Sequence, residues 1–299
     1  MRNVRRVFAT RNRFVILAIL TATLVACVSS RGIQEFTTYR TAFDRTNDTA
    51  NAILDQLAIQ ERALFRATSG HVFQEFNPDA ATYYTDAGDP PGTGAFRNAL
   101  ATVDAYNDLL FALATGQSAA SMVSQLGELQ VNVNKALGDV AALAGHGGQV
   151  AAVGAALEVG FRKLKPFIEL GLRYRSRQAF RVFVVENYLT VRQLLLDIRG
   201  GTTAIFPILT RSVMERHRGD ITSTSLTAEE VEKVEAYRKL LSDWVLLIDG
   251  TIMALDHVNT ALAQGPTVAG AVAGLSTIAI DLSAASDAAR KDLAALAAN

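Results

Sequence analysis

The chain has 299 residues, 29 basic against 29 acidic, with 49% hydrophobic residues, six prolines and one cysteine. One cysteine excludes an internal disulfide framework, and the lack of a basic excess argues against a nucleic-acid binder. Abundant alanine, scarce proline and no alternating pattern of useful length exclude a sheet-rich fold, so an all-α chain with a sizeable core is expected.

Residues 1–13 carry Arg2, Arg5, Arg6, Arg11 and Arg13 and no acid. Phe14 to Ala26 is uncharged and mostly apolar, which suits a secretory h-region and is too short to span a bilayer as a helix. The run ends in Leu24-Val25-Ala26-Cys27 and contains the chain's single cysteine. This segment resembles the lipobox of bacterial lipoproteins. The resemblance implies that residues 1–26 are a signal peptide, that Cys27 is acylated, and that two or three acyl chains hold the protein on a membrane. It further implies a cell-envelope location. Val28 follows the cysteine where an Asp tends to retain such proteins in the inner membrane, so the outer membrane, facing the periplasm, is favoured. Five of the 29 basic residues and none of the 29 acidic ones lie in residues 1–26, so residues 27–299 hold 24 against 29, a formal charge of −5.

From Gly32 to Thr68 the spacing predicts one long helix. Phe36, Phe43, Ala50, Leu57 and Leu64 recur every seventh residue, with Tyr39 and Ile53 on the companion seam. A loop is expected at about 70–94, where Asn77-Pro78 and Pro90-Pro91-Gly92 interrupt the pattern. Helical spacing resumes over Phe96–Leu113 through Leu100, Val103, Tyr106 and Leu110. It does so again over Ser118–Leu143, where Met122, Leu129, Ala136 and Leu143 alternate with Leu126, Val133 and Val140.

Gly145-His146-Gly147-Gly148 reads as a turn. A helical region follows to about Gly219, with kinks or breaks expected at Pro166, Gly200-Gly201 and Pro207. Thr227-Ala228-Glu229-Glu230 matches a capping box. The helix it opens has Val234, Leu241, Ile248, Leu255 and Leu262 as its seam, beside Tyr237, Trp244 and Val258. Beyond Gly265-Pro266 the last seam is Val268, Leu275, Leu282, Ala289 and Leu296. Helices of similar length, short turns and a seven-residue period predict an elongated antiparallel bundle with coiled-coil-like packing, residues 27–299 forming one domain.

Catalytic signatures are missing: there is no P-loop, HExxH, GxSxG or Ser-x-x-Lys. The four histidines are scattered and no Glu-x-x-His pair occurs, so neither catalytic residues, a metal site nor a cofactor is expected. The strongest anomaly is a basic run of Arg162, Lys163, Lys165, Arg173, Arg177 and Arg181, with Arg175 among them. It suits an anionic lipid, an anionic envelope polymer or an acidic partner protein, against the plainer reading of a solvated helix face that pairs with acids on neighbouring helices; only Glu169 opposes the run. His71, Phe73, Tyr83 and Tyr84 mark the 70–94 loop as a candidate binding loop, against the plainer reading that its aromatics tuck over a bundle end. Val140–Leu157 and His257–Ile280 carry no charge, and Gly270-x-x-x-Gly274 allows close helix approach. The expected function is a non-enzymatic, membrane-tethered scaffold or binding module with an envelope protein or anionic lipid or polymer as partner. The alternatives are a membrane-perturbing helical protein, akin to pore formers, or an envelope enzyme with an assembled site.

Overall fold

The computed structural model describes residues 4–68, 75–117, most of 121–134, 149–171, 177–218, 226–264 and 269–298, with side chains of α1 described from residue 32 onward. Among these residues the chain is all-helical. Seven α-helices have defined bounds: α1 (Val4–Thr68), α2 (Pro91–Thr115), α3 (Gln149–Gly171), α4 (Arg177–Gly200), α5 (Thr202–Arg218), α6 (Ala228–Gln264) and α7 (Ala269–Ala298). A 3-10 helix spans Pro78–Tyr83, and the described residues between 121 and 134 are helical too.

The seven-residue seams are the buried faces. Phe36, Tyr39 and Phe43 are fully buried, with Ala50, Ile53 and Leu57 close to it. The α6 seam from Val234 to Leu262 is buried along its length, with Trp244 at its centre and Phe96 edge-on to the indole at 6.5 Å. Leu275, Leu282 and Ala289 do the same for α7. Most of these residues join one core that α1, α2, α4 and α6 all enter, while Leu282 and Ala289 pack with Ala42 and Leu247 in a second, smaller cluster. Met122, Leu126, Leu129, Val133, Ala136, Val140, Leu143 and Val268 lie outside the described residues.

Paired contacts fix the directions of neighbouring helices. Along α6 and α7, Lys239 meets Asp292, Gly250 meets Leu282 and His257 meets Gly274, so one helix runs against the other. Arg40 with Asp108 and Glu61 with Gly92 set α2 against α1. Tyr188 with Asp256 and Arg199 with Asp249 set α4 against α6. Buried hydroxyls tie α1 to its neighbours: Thr251 donates to Thr46 at 3.2 Å, and Thr49 shares a hydrogen bond with Ser286.

Local signals explain most ends. Thr227 and Glu230 form the reciprocal box: the Thr227 amide donates to the Glu230 carboxylate at 3.0 Å, and the Glu230 amide to Thr227 Oγ1 at 3.2 Å. The Gly200–Gly201 break separates α4 from α5. Pro166 and Pro207 lie inside α3 and α5 and end neither helix. Gly116 closes α2 in the left-handed conformation at φ 71°, which glycine adopts without steric cost.

Two boundaries differ from expectation. Helix α1 starts at Val4, far upstream of Gly32, so the apolar run, Cys27 and the core seam share one helix. Helix α2 starts at Pro91 instead of Phe96. The reason is tertiary: Glu61 of α1 reaches across, and its carboxylate accepts the amides of Gly92 and Thr93 at 2.9 and 2.8 Å and the Thr93 hydroxyl at 2.9 Å. A helix N-terminus leaves amides unpaired, and a buried carboxylate from another helix satisfies two of them here.

Candidate functional site

Three elements meet where α1 leaves its apolar N-terminal run. Gly32, five residues past Cys27, lies against α6: a Cβ there would sit 2.2 Å from Leu262 Cδ2. Phe36 meets Phe180 of α4 edge-to-face at 5.3 Å. The C-terminal end of α6 and the beginnings of α4 and α7 are therefore gathered beside the first turns of the α1 core seam. Phe36 lies nine residues beyond Cys27, roughly 14 Å along a helix.

The basic run is divided between two levels. Gly160 on α3 lies against Leu194, and Lys163 is close enough to Asp197 to act on its charge. Arg162 is ion-paired with Glu158 of its own helix and remains exposed. Arg181 is exposed next to buried Phe180, thirteen to sixteen residues before Leu194 and Asp197, roughly 20–24 Å away along α4. Arg177 opens α4 one turn earlier. Arg173, Arg175 and the side chains of Lys165 and Arg177 lie outside the described residues. Arg181 forms no ion pair among the described residues, and Val182 and Val185 beside it are 43% and 39% exposed.

In the 70–94 segment, His71 and Phe73 lie outside the described residues. Tyr83 is buried and stacked on Phe65 of α1 at 3.8 Å, whereas Tyr84 is exposed and edge-on to the same ring at 6.0 Å. Arg62 donates to the carbonyls of Thr82 and Gly88 at 3.2 and 2.7 Å and pairs with Asp86 at 3.1 Å. Arg97 joins Asp89 and Asp55, each at 2.7 Å. The described part of this segment thus folds onto the distal end of α1, its aromatics covering that helix end.

Sequence reasoning missed an acidic seam between α1 and α2. Asp44 and Asp48 stand one turn apart on α1, and Asp104 and Asp108 one turn apart on α2. Their shared i, i+4 spacing was the available signal. Arg40 pairs with Asp108 and stacks over Phe111 at 4.4 Å. Burial, then the charges of Asp108 and Asp44, pushes Asp104 up to about 6. A second pair joins α6 to α7. Burial and a hydrogen bond with Asp292 push Asp243 up to about 6, while Lys239 donates to Asp292 at 2.8 Å. An open groove of about 580 Å³ between α1 and α7 is lined by Thr37, Thr41, Arg45, Ile280, Ser283 and Asp287, with alanines beneath.

Among the described residues no three His, Cys, Asp or Glu side chains are placed to hold a metal ion. Helix α6 is the one described helix long and apolar enough to cross a membrane, and half of that stretch is buried against other helices. Compared with known proteins, the chain matches no family model, no curated protein and no solved structure.

Proposed function

We propose that this chain is a cell-envelope lipoprotein, acylated on Cys27, whose helices form one elongated antiparallel bundle. It serves as a non-enzymatic scaffold or binding module on the periplasmic face of the outer membrane. The observation that supports this best is the continuity of α1. The residue that would carry the lipid and the fully buried Phe36, Tyr39 and Phe43 belong to one helix, which also contacts α2, α5, α6 and α7. A lipid on Cys27 would therefore be joined to the core by helix instead of a loose linker. That geometry suits holding a partner at a set height above a bilayer.

Metabolic labelling with radioactive palmitate tests this reading. Label is expected in the wild-type chain and absent from Cys27→Ala, which should also leave the membrane fraction after carbonate washing. Unlabelled wild type would refute it. Crosslinking in living cells then asks for the partner, comparing wild type with a charge-reversed Arg177/Arg181 variant. The composition of α6 favours a second reading, a membrane-perturbing protein. Dye release from liposomes by the acyl-free chain would support it, and intact liposomes at micromolar protein would remove it.

A further inference from the structure

We propose that the C-terminal half of α7 is a proton-operated latch, held on α6 by a proton that Asp243 and Asp292 share and loosened when that proton leaves. The inference goes beyond the envelope reading and does not depend on acylation of Cys27.

The grip of α7 on the molecule is thin where the latch sits. Among its described residues the buried side chains are Leu275, Leu282, Ser286 and Ala289. Leu275 belongs to the main core, whereas Leu282 and Ala289 close the small cluster with Ala42 and Leu247. Beyond Leu282 the fully buried apolar group is one alanine, with Leu293 and Leu296 partly buried. A buried methyl stabilises far less than a buried leucine, so polar contacts carry a large share of the attachment of residues 283–298. These are the Thr49–Ser286 hydroxyl pair, the Lys239–Asp292 ion pair and the contact between Asp243 and Asp292. Lys239 is 66% exposed, so its ion pair contributes little.

The carboxyl contact is arranged for a shared proton. Asp243 Oδ2 and Asp292 Oδ2 are both buried, and neither meets a donor among the described residues. Lys239 donates to the other oxygen of Asp292, Oδ1, at 2.8 Å. Two ionised carboxylates placed this way would each leave a buried oxygen unpaired beside a like charge, which is costly. One proton between them supplies the missing donor and removes one charge.

The charges acting on Asp243 are those of Asp292 across the interface and Lys239 one turn earlier on its own helix. Nearby charged groups are engaged elsewhere. Arg238 pairs with Glu235 and covers Phe206 of α5, Arg199 of α4 holds Asp249, and Asp55 of α1 holds Arg97. Arg290 and Lys291 of α7 are exposed, and Arg45 of α1 lines the groove with Asp287. Once the proton leaves, Lys239 therefore faces two carboxylates. Burial first, then the hydrogen bond and charge of Asp292, hold Asp243 at about 6 against an ordinary 3.8. A group raised in the docked state stabilises docking at low pH, and that contribution is lost as pH rises through about 6. The latch is closed in mild acid and loosened at neutral pH. Loosening moves Ser283, Ala284 and Asp287, one wall of the α1/α7 groove, so the shape of that groove becomes pH-dependent.

The test is hydrogen exchange on the full chain at pH 5 and 7.5, each amide expressed as a protection factor so that the intrinsic pH dependence of exchange cancels. With Asp243 at about 6 docked and 3.8 detached, the opening constant of α7 should rise about tenfold between the two pH values. Protection of residues 286–296 should fall by that factor, from a level below that of the α6 seam. The fall should survive Asp104→Asn, which lies outside the latch, and vanish in Asp243→Asn, whose amide donates to Asp292 without titrating. Lys239→Gln, a change at an exposed position, removes the cation that lowers Asp243 and should move the midpoint of the fall to higher pH. Protection of α7 that ignores pH in the wild type, or a fall that persists in Asp243→Asn, overturns the proposal. So does an unmoved midpoint in Lys239→Gln, or α7 exchanging only as slowly as the α6 seam, which would make the opening global.

Discussion

Helix α2 begins where it does because Glu61 of α1 caps it, and the claim has a sign reversal that can be measured. Glu61 is 8% exposed and accepts from two amides and one hydroxyl. Hydrogen bonds to a charged group contribute about 1.5–3 kcal/mol each, and loss of a helix cap typically costs about 1–2 kcal/mol. Because the three bonds share one carboxylate, Glu61→Ala should cost about 2–4 kcal/mol in urea unfolding. In a chain of this size that lowers Tm by on the order of 5–10 °C. Gly92 supplies the diagnostic. A Cβ at this position would sit 2.8 and 2.9 Å from the two carboxylate oxygens of Glu61. Gly92→Ala should therefore displace the cap and cost about 1–3 kcal/mol in the native background. Once Glu61 is alanine the obstruction is gone, and alanine's better helix propensity should make the same substitution neutral to stabilising by up to about 1 kcal/mol. A Gly92→Ala penalty that stays unchanged in the Glu61→Ala background would refute the trans cap.

Asp104 and Asp243 have folded values of about 6, above the ordinary carboxylate range, chiefly from burial. The folded state then holds more protons between about pH 4 and 6, so their contribution to stability is full below that window and lost as pH rises through it. Thermal melts should show wild type gaining more Tm between pH 7.5 and 5 than Asp104→Asn/Asp243→Asn does; equal gains would refute the assignment. Gly201→Ala would place a methyl 2.3 Å from Phe96 Cε1 and should cost about 1–3 kcal/mol, with a smaller loss when Phe96 is leucine. Tyr83→Ala removes a buried ring stacked on Phe65; about 3 kcal/mol of lost stability is expected by urea titration, with faster amide exchange over residues 75–91.

What could be read from the sequence, and what could not, divides along one physical line. A single helix advertises its buried face, because 3.6 residues per turn makes a seven-residue apolar repeat fall on one stripe. Phe36, Phe43, Ala50 and Leu57, and the α6 seam around Trp244, were legible for that reason and are buried. The capping box at Thr227 was legible because both partners lie within four residues. Relations between helices are another matter, since they depend on register, which no local pattern encodes. The start of α2 was misjudged because its cap comes from a residue thirty-one positions earlier. The Asp44–Asp104 seam was invisible for the same reason, although each half shows its own i, i+4 pair. The basic run shows the converse. Arg162 and Arg181 look adjacent along the chain, yet Arg162 lies two residues from Gly160, which packs on Leu194, while Arg181 stands beside Phe180, which packs on Phe36. Only that register distinguishes charges that lie along the body from the one that stands level with Phe36. A run of charges that is dense in sequence therefore defines no single surface until the register of the helices that carry it is known.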